Sequence, residues 1–196
     1  MKRIMVIVAL SVVLLITGCT ANDLDSGSDN SGYQTTYFHL DWPSYATAEE
    51  IVNASTHIYS GTVTDVSFEI IDYSTGKVDR DRSSTSTSRT LYTVYTIRTD
   101  KNYKGNSSDE VKICKMGGIS GFREEEQFEL LDSSGLIQPR REEIPISDDN
   151  CKLDIGKKYL FCISRNSNEF DFIINPYQFA HDIDSKDAKD VIGAIE

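Results

Sequence analysis

Few residues of this chain have the types and spacing that metal or nucleophilic chemistry needs. Three histidines and four cysteines occur in 196 residues. The chain has no His-Glu-x-x-His, Cys-x-x-Cys or Gly-x-Ser-x-Gly pattern, so neither a zinc centre nor a serine nucleophile is predicted. His39 and His181 each lie near an aspartate that could orient an imidazole, but no nucleophile accompanies them. We therefore predict no catalytic residue, no metal ion and no cofactor.

Three of the cysteines, Cys114, Cys151 and Cys162, lie in the second half of the chain. Cys162 falls among apolar residues of a strand pattern, which is typical of a buried free thiol. An exported protein can form disulfides, and an odd number of cysteines leaves one thiol over. Cys114–Cys151 is the favoured pair, and the absence of any bond is the alternative.

Two acidic clusters, residues 124–126 and 148–150, could together supply the oxygen ligands that calcium prefers. Residues 23–29 also alternate aspartates, but their spacing lacks the central glycine and the final acidic ligand of a calcium loop. A solvated acidic surface is the favoured interpretation of the two clusters, and residues 23–29 are interpreted as part of the linker.

Aromatic residues are the candidates for ligand contact. Trp42 has three aromatic neighbours in sequence: Tyr37, Phe38 and Tyr45. This group could form a platform for a sugar or a peptide, although such groups more often plug the open end of a barrel. Tyr92 and Tyr95 belong to one predicted strand, and their odd spacing places them on opposite faces. At most one of these two tyrosines can face a ligand, so the contact candidates are Trp42, Tyr92 and Tyr95.

The balance of charge argues against one class of partner. Asp and Glu number 31 and Lys and Arg 20, which gives a formal net charge of −11. Such a surface repels phosphate backbones, so nucleic-acid binding is not expected. An apolar share of 39% indicates a folded chain, and its many tyrosines and phenylalanines favour strands over helices.

The N-terminus has the pattern of an export signal. Lys2 and Arg3 precede an apolar stretch, residues 4–16, that is shorter than the roughly 20 residues needed to span a bilayer. The stretch leads into Leu-Ile-Thr-Gly-Cys at Cys19, which resembles the lipobox of bacterial lipoproteins. The resemblance implies that residues 1–18 are removed. It also implies that Cys19 carries a diacylglyceryl lipid, with palmitate among its chains, on the extracytoplasmic face of the cell membrane.

The chain after the signal divides into a tether and one domain. Residues 20–36 are mostly Ser, Asp, Asn, Gly and Thr, and they cannot bury enough apolar surface to offset the entropy of ordering. We expect residues 19–36 to be the lipidated cysteine and a flexible acidic tether. Residues 37–196 are then a single domain.

Short helices are expected at both ends of this domain, with strands between them. Thr47 and Glu50 stand at capping-box spacing before an apolar pair, which predicts a helix to about residue 55. Apolar spacing over residues 185–195 predicts a C-terminal helix. Alternating apolar residues predict five main strands, at residues 57–71, 91–103, 110–116, 158–164 and 170–174.

Irregular features interrupt this pattern at three places. The first strand changes phase between Val63 and Val66, as a β-bulge does, and small barrels need such a bend. Residues 75–89 have almost no apolar side chains and are expected to form a mobile loop. The long insertion 117–156 carries mixed charge, and apolar residues at 128–131 indicate one further strand or a short helix within it.

A family resemblance rests on motifs spread over residues 55–174. They are Gly61-Thr62-Val63, Val94 to Ile97 leading into Tyr103-Lys104-Gly105, Val111 to Cys114 followed by Gly117-Gly118, and Leu153-Asp154-Ile155-Gly156-Lys157-Lys158-Tyr159-Leu160. The set resembles the small barrel modules of bacterial lipoproteins that are similar to tissue inhibitors of metalloproteinases and to netrin-type domains. The resemblance implies a mainly β fold, a small OB-like β-barrel of about five strands with a bulged first strand. Animal inhibitors of this class chelate the protease zinc through a free N-terminal cysteine amine, which an acylated Cys19 could not supply.

These patterns favour a membrane-anchored extracytoplasmic lipoprotein whose domain is a binding or interaction module and not an enzyme. Its expected partners are the membrane, through the N-terminal lipid, and a protein or glycan at the cell surface. A protease inhibitor that uses residues 75–89 as its wedge is the first alternative, and a cell-envelope hydrolase is the second. We expect a ligand to contact the second and third barrel strands or the loops 75–89 and 117–150.

Overall fold

The structure is a computed structural model that describes residues 33–137, 143–147, 152–165 and 169–195. The predicted signal, Cys19 and Cys151 lie outside the described residues. Of the residues described, 44% lie in strands and 17% in helices, so the predicted mainly β class is confirmed.

The predicted strands and helices appear in the expected order, with additions. In chain order the elements of the described ranges are β1 (Gln34–Phe38), α1 (Ala48–Ala54), β2 (His57–Asp72), β3 (Lys77–Val78), β4 (Arg89–Lys104), β5 (Glu110–Met116), α2 (Glu124–Ser133), β6 (Glu143–Ser147), β7 (Lys158–Arg165), β8 (Asp171–Ile173), β9 (Ala180–Asp182) and α3 (Lys186–Gly193). The five predicted strands correspond to β2, β4, β5, β7 and β8. The two predicted helices correspond to α1, which Thr47 caps, and α3, which Ser185 caps.

Seven of these strands form one sheet in the order β3-β2-β4-β5-β8-β7-β9, and β2 pairs additionally with β7. β2, β4 and β5 are successive antiparallel neighbours, β5 and β8 are parallel, and β8 and β7 are antiparallel. β2 pairs with both β4 and β7: residues 57–62 pair with β7 along one edge, and the strand pairs with β4 along the other edge. β1 and β6 form a separate two-stranded parallel sheet.

β2 contains the irregularity that its sequence predicts. Its register against β4 shifts by one residue between Val63 and Asp65, which leaves Thr64 opposite no residue of β4. The hydroxyl of Thr64 donates a hydrogen bond to the carbonyl oxygen of Thr96 at 3.1 Å. Because of the extra residue, Val63 and Val66 both reach the same core, although their odd spacing would separate them in a regular strand.

The polar segment between β2 and β4 contains side-chain hydrogen bonds that its composition does not predict. The carboxylate of Asp72 accepts hydrogen bonds from the hydroxyls of Ser74 (2.6 Å) and Ser86 (2.7 Å). The buried guanidinium of Arg89 donates to the carbonyl oxygen of Ser84 at 3.2 Å. Side-chain hydrogen bonds of this kind hold turns in place of apolar contacts. Residues 75–89, which we expect to form a mobile loop, thus contain hydrogen-bonded turns and the short strand β3.

Two further boundaries differ from expectation. Residues 34–36, which the composition assigns to the tether, lie in β1. The insertion contains α2, the helix that was one of the two predicted alternatives, and it also contains β6, which no pattern predicted. β1 and β6 pair in parallel, from Gln34 beside Glu143 to Phe38 beside Ser147.

Apolar side chains pack on both faces of the large sheet. The main core includes apolar residues of β2, β4, β5 and β7 together with Ile51 of α1, Leu131 of α2 and Val191 of α3. A second, smaller cluster lies separately from it, and its buried members are Ile71, Tyr92, Val94, Cys114 and Phe170. Within the described ranges, no helix has both the length and the apolar character that crossing a bilayer requires.

Candidate functional site

The second apolar cluster borders a cavity of about 310 Å³. Its lining residues come from four strands and from the segment between β1 and α1: Trp42, Tyr92, Cys114, Met116, Ser164, Phe172 and Ile173. This space, the Trp42 cavity, thus brings together two of the three predicted contact residues, Trp42 and Tyr92. The described lining residues carry no formal charge, so the cavity suits a neutral and largely apolar group.

Strand register places the floor of the Trp42 cavity. Cys114 on β5 lies beside Val94 on β4 and beside Phe172 on β8. Tyr92 lies two residues before Val94 on β4, and Met116 lies two residues after Cys114 on β5. Because side chains alternate along a strand, all four side chains lie on the same face of the sheet. The rings of Tyr92 and Phe172 meet edge to face, with their centroids 6.0 Å apart. Paired strands hold these side chains in fixed positions.

Trp42 reaches the cavity from a segment without regular secondary structure. The carbonyl oxygen of Pro43 accepts a hydrogen bond from Asn175 Nδ2 at 3.0 Å. The side-chain amide of Gln178 accepts from the backbone N–H of Tyr45 at 3.1 Å and donates to its carbonyl at 2.8 Å. Two amide side chains of the turn before β9 therefore fix the chain on the C-terminal side of Trp42.

The indole N–H of Trp42 is a buried donor that has no partner in the described part of the chain. Its Nε1 atom has no hydrogen-bond acceptor among the described residues. Buried donors are nearly always paired, and an unpaired one costs about 1–3 kcal/mol. A ligand oxygen that accepts this N–H would recover that free energy. The Trp42 cavity therefore combines apolar walls with one directional hydrogen bond.

Burial makes two protic side chains of the cavity weaker acids. It raises the pKa of the Cys114 thiol well above its ordinary value, and the carboxylates of Glu69, Asp171 and Glu169 add to the effect. Burial also raises the pKa of the Tyr92 hydroxyl. At neutral pH Cys114 is consequently a protonated thiol, whereas nucleophilic attack needs the thiolate. This chemistry suits binding rather than covalent catalysis.

The remaining predicted site residues lie elsewhere. Tyr95 is completely buried in the main core, so it is in no position to contact a ligand. Cys162 has a free thiol that is buried, as its strand context predicted. Cys114 also has a free, buried thiol, so the structure has the unbonded alternative and not the favoured Cys114–Cys151 pair. Cys19 lies outside the described residues, so its lipidation stays a prediction.

The aromatic group around Trp42 does not form a single platform. Tyr37 is 55% exposed on β1. The ring of Phe38 lies against Gly117, where an added Cβ would come within 3.1 Å of it. Tyr45 lines a different cavity. Of the four aromatic residues, Trp42 is the one that lines the Trp42 cavity.

Sequence reasoning missed Met116, Ser164 and Phe172 as cavity residues. One signal was available, because β4 is apolar on both faces: Leu91 belongs to the main core and Val94 to the second cluster. A strand with apolar residues on both faces is covered on both. That signal indicates that a second buried surface exists, but the residues that cover it come from distant parts of the chain.

The acidic clusters assemble no cation site in the described part of the chain. Within those ranges, no group of three or more His, Cys, Asp or Glu side chains could hold a metal ion. Glu124 is buried and accepts a hydrogen bond from the backbone N–H of Gly121 at 2.8 Å. Glu126 forms an ion pair with Arg123, and residues 148–150 lie outside the described ranges.

Neither a protein-family model nor a curated protein matches this chain.

Proposed function

We propose that this chain is a membrane-anchored extracytoplasmic lipoprotein whose domain binds a ligand in the Trp42 cavity. The observation that carries the proposal is the meeting of Trp42 and Tyr92 in one uncharged cavity of about 310 Å³. Each residue is a candidate on its sequence alone, and they come from distant parts of the chain. The unpaired indole N–H adds a directional contact for a ligand.

We infer an OB-like barrel as the scaffold. β2, β4, β5, β8 and β7 each pair with two others of the set, and the pairing of β7 with β2 returns to the first strand. A ring of pairings is what closure of a small barrel requires, and the bulge in β2 supplies a bend. β4 and β5 are then the second and third barrel strands, whose face binds ligands in OB folds. Tyr92, Cys114 and Met116 lie on that pair of strands.

The ligand that fits this site has an apolar surface and at least one hydrogen-bond acceptor. The apolar side chain of a protein partner with its neighbouring carbonyl meets both requirements, and so does the apolar face of a sugar with its hydroxyl oxygens. Both sources suit a domain that is tethered to the outer face of a membrane. Cys19, by its lipobox position, supplies the attachment.

Fluorescence of Trp42 tests the proposal, because this residue is the chain's single tryptophan. The full chain in detergent is titrated with cell-envelope glycans in one series and with peptides from surface proteins in another. A ligand that enters the cavity should change the emission of Trp42 saturably and protect it from acrylamide quenching. The series that responds identifies the partner class.

A pair of variants separates the cavity from the rest of the surface. Met116→Glu places a charge in the cavity and should weaken binding about tenfold or more. Ile155→Glu makes the same kind of change at a residue that is 57% exposed and outside the cavity, and it should leave binding unchanged. Binding that both variants weaken equally, or that Met116→Glu does not weaken, would contradict the proposed site.

A further inference from the structure

A second cavity, of about 300 Å³, lies between α1, α3 and the turn before β9. Its walls include Tyr45, Tyr177, His181 and Asp187, and it shares no lining residue with the Trp42 cavity. We propose that this space, the His181 cavity, binds a small organic ammonium ion. The charged head would meet His181 and Asp187, and the carbon chain would lie against the tyrosines. Its volume is at the lower end of those found for small-molecule sites, about 300–1,000 Å³.

His181 supplies a buried hydrogen-bond acceptor. Its ring donates a hydrogen bond to the backbone carbonyl of Gln178, while its Nε2 atom is buried with no partner among the described residues. The donor is therefore Nδ1, and in a neutral ring Nε2 is left with its lone pair. Burial lowers the pKa of His181 below its ordinary value, against the opposing charge of Asp187, so the neutral ring prevails at pH 7. An N–H group of a ligand would pair with this nitrogen.

Carboxylates give the His181 cavity its charge. Asp187 and Asp190 both line it. Asp190 accepts a hydrogen bond from Lys186 Nζ at 2.6 Å, one turn back along α3, so its charge is largely balanced. Asp187 is close enough to influence His181 and Lys186 electrostatically. Carboxylates can only accept, so Asp187, with its charge, and the lone pair of His181 together favour a ligand that carries positive charge and several N–H donors.

The backbone that carries the two tyrosines is held in place before any ligand arrives. Asn175 is 1% exposed, and its Oδ1 accepts from the backbone N–H groups of Tyr177 (2.9 Å) and Gln178 (2.7 Å). Gln178 in turn bonds both backbone groups of Tyr45. Cations are attracted to the faces of tyrosine rings, and a backbone that is already ordered reduces the entropy that binding must offset.

The test uses butylammonium as the probe, with butanol as its neutral isostere and butyrate as its anionic counterpart. In the ¹⁵N-labelled full chain in detergent, butylammonium should shift the amide resonances of His181 and Asp187 saturably. Butanol and butyrate should leave these two amide resonances unchanged. Nα-acetyl-lysine amide forms a further arm, because the same ammonium chemistry occurs in free amines and in lysine side chains. Tighter binding of this compound than of butylammonium would assign the site to a lysine of a partner, and weaker binding to a free amine.

Two variants and a control make the outcome decisive. Asp187→Asn keeps the shape of an exposed side chain, removes its charge and should weaken butylammonium about tenfold. Tyr177→Leu, at a residue that is 59% exposed, should weaken it about threefold through loss of the ring face. Asp65→Asn, at an exposed aspartate of β2, should change nothing. No saturable shift with butylammonium, equal binding of butanol, or an affinity that Asp187→Asn leaves unchanged would each overturn the proposal.

Discussion

Gln127 has no exposed surface, and its side chain holds a loop rather than the helix to which it belongs. Its Oε1 accepts from the backbone N–H of Ile119 at 3.0 Å. Its Nε2 donates to the carbonyl oxygens of Ile119 (2.9 Å) and Phe122 (2.6 Å). These backbone groups lie in the link between β5 and α2, where buried backbone needs partners that no strand supplies. One amide side chain therefore takes the place of secondary structure.

Replacement of Gln127 by alanine should consequently destabilise the domain. It leaves three buried backbone groups unsatisfied, and we expect the free energy of unfolding to fall by about 3 kcal/mol. Denaturant titration followed by circular dichroism measures the change. Glu129→Ala, on the exposed side of the same helix, is the matched control, with an expected change within about 0.5 kcal/mol. Equal stability of the two variants would contradict the role assigned to Gln127.

Asp72 links stability to pH. Hydrogen bonds from Ser74 and Ser86 lower the pKa of its carboxyl from the ordinary 3.8, and burial opposes them. A carboxylate with a depressed folded pKa stabilises the fold above its unfolded pKa, and the contribution is lost as pH falls through the folded pKa. We expect Asp72→Asn to melt at a lower temperature than the wild type at neutral pH. The difference should narrow below about pH 4, and a gap of constant size down to acid pH would show that the charge is not its cause.

At the scale of elements, β2 and β4 approach each other very closely at Gly61. This glycine lies in the part of β2 that pairs with both β4 and β7. A Cβ added there would lie 2.6 Å from Ile97 Cγ2 and 2.7 Å from the carbonyl oxygen of Arg98. Backbone oxygen cannot move away as a side-chain tip can. The glycine is therefore required by space, not by an unusual backbone angle.

Gly61→Ala should separate β2 from β4 and lower the free energy of unfolding by about 2–3 kcal/mol. Gly193→Ala is the control, because an added Cβ at the end of α3 has no neighbour within 4 Å. That change should be neutral or slightly stabilising, since alanine restricts the unfolded chain. Thermal unfolding of the two variants measures the contrast. A Gly61→Ala protein as stable as the wild type would mean that the strands can part without cost.

The elements that the sequence predicted are those encoded by local patterns. β5 has the predicted bounds, Thr47 accepts the capping hydrogen bond from the Glu50 N–H at 3.2 Å, and the phase change in β2 coincides with a register shift. β1 and β6 were missed because each has five residues and they pair across a separation of more than a hundred positions. A strand of five residues is too short to show a clear alternation of apolar residues, and its sequence does not indicate a distant partner.

The residues of the Trp42 cavity also divide into those that a local pattern predicts and those that depend on distant contacts. Trp42 and Tyr92 were found by residue type, which depends on no fold. Met116 and Phe172 were missed because their role depends on how the segment after β1 lies over the second face, and two distant amides, Asn175 and Gln178, decide that placement. The sequence places His181 beside an aspartate that could orient its imidazole, while its neutral ring and its Nε2 atom, which has no partner among the described residues, suit the proposed role of an acceptor for a ligand.

At the scale of the whole molecule, the proposed attachment to a membrane rests on the N-terminus. A net charge of −11 opposes adsorption to anionic lipid, and the apolar residues 4–16 are too short to span a bilayer. Each buried methylene contributes about 0.8 kcal/mol, so a single acyl chain binds marginally while two give stable anchoring. A diacylglyceryl thioether at Cys19 would supply two chains without help from the protein surface.

Cys19→Ala should therefore release the protein from the membrane or leave an uncleaved precursor. Cell fractionation and incorporation of labelled palmitate measure the two outcomes, and Cys151→Ala is the matched control that should keep both label and membrane location. The tryptophan emission and the melting temperature of the domain should stay at wild-type values in Cys19→Ala, because the elements described begin with β1, well after residue 19. If the wild-type chain takes up no label and is found in the medium, residues 4–16 act as an ordinary secretory signal and Cys19 is not an anchor. If the label is present but the domain of Cys19→Ala unfolds, the segment before β1 contributes to the fold and is more than a tether.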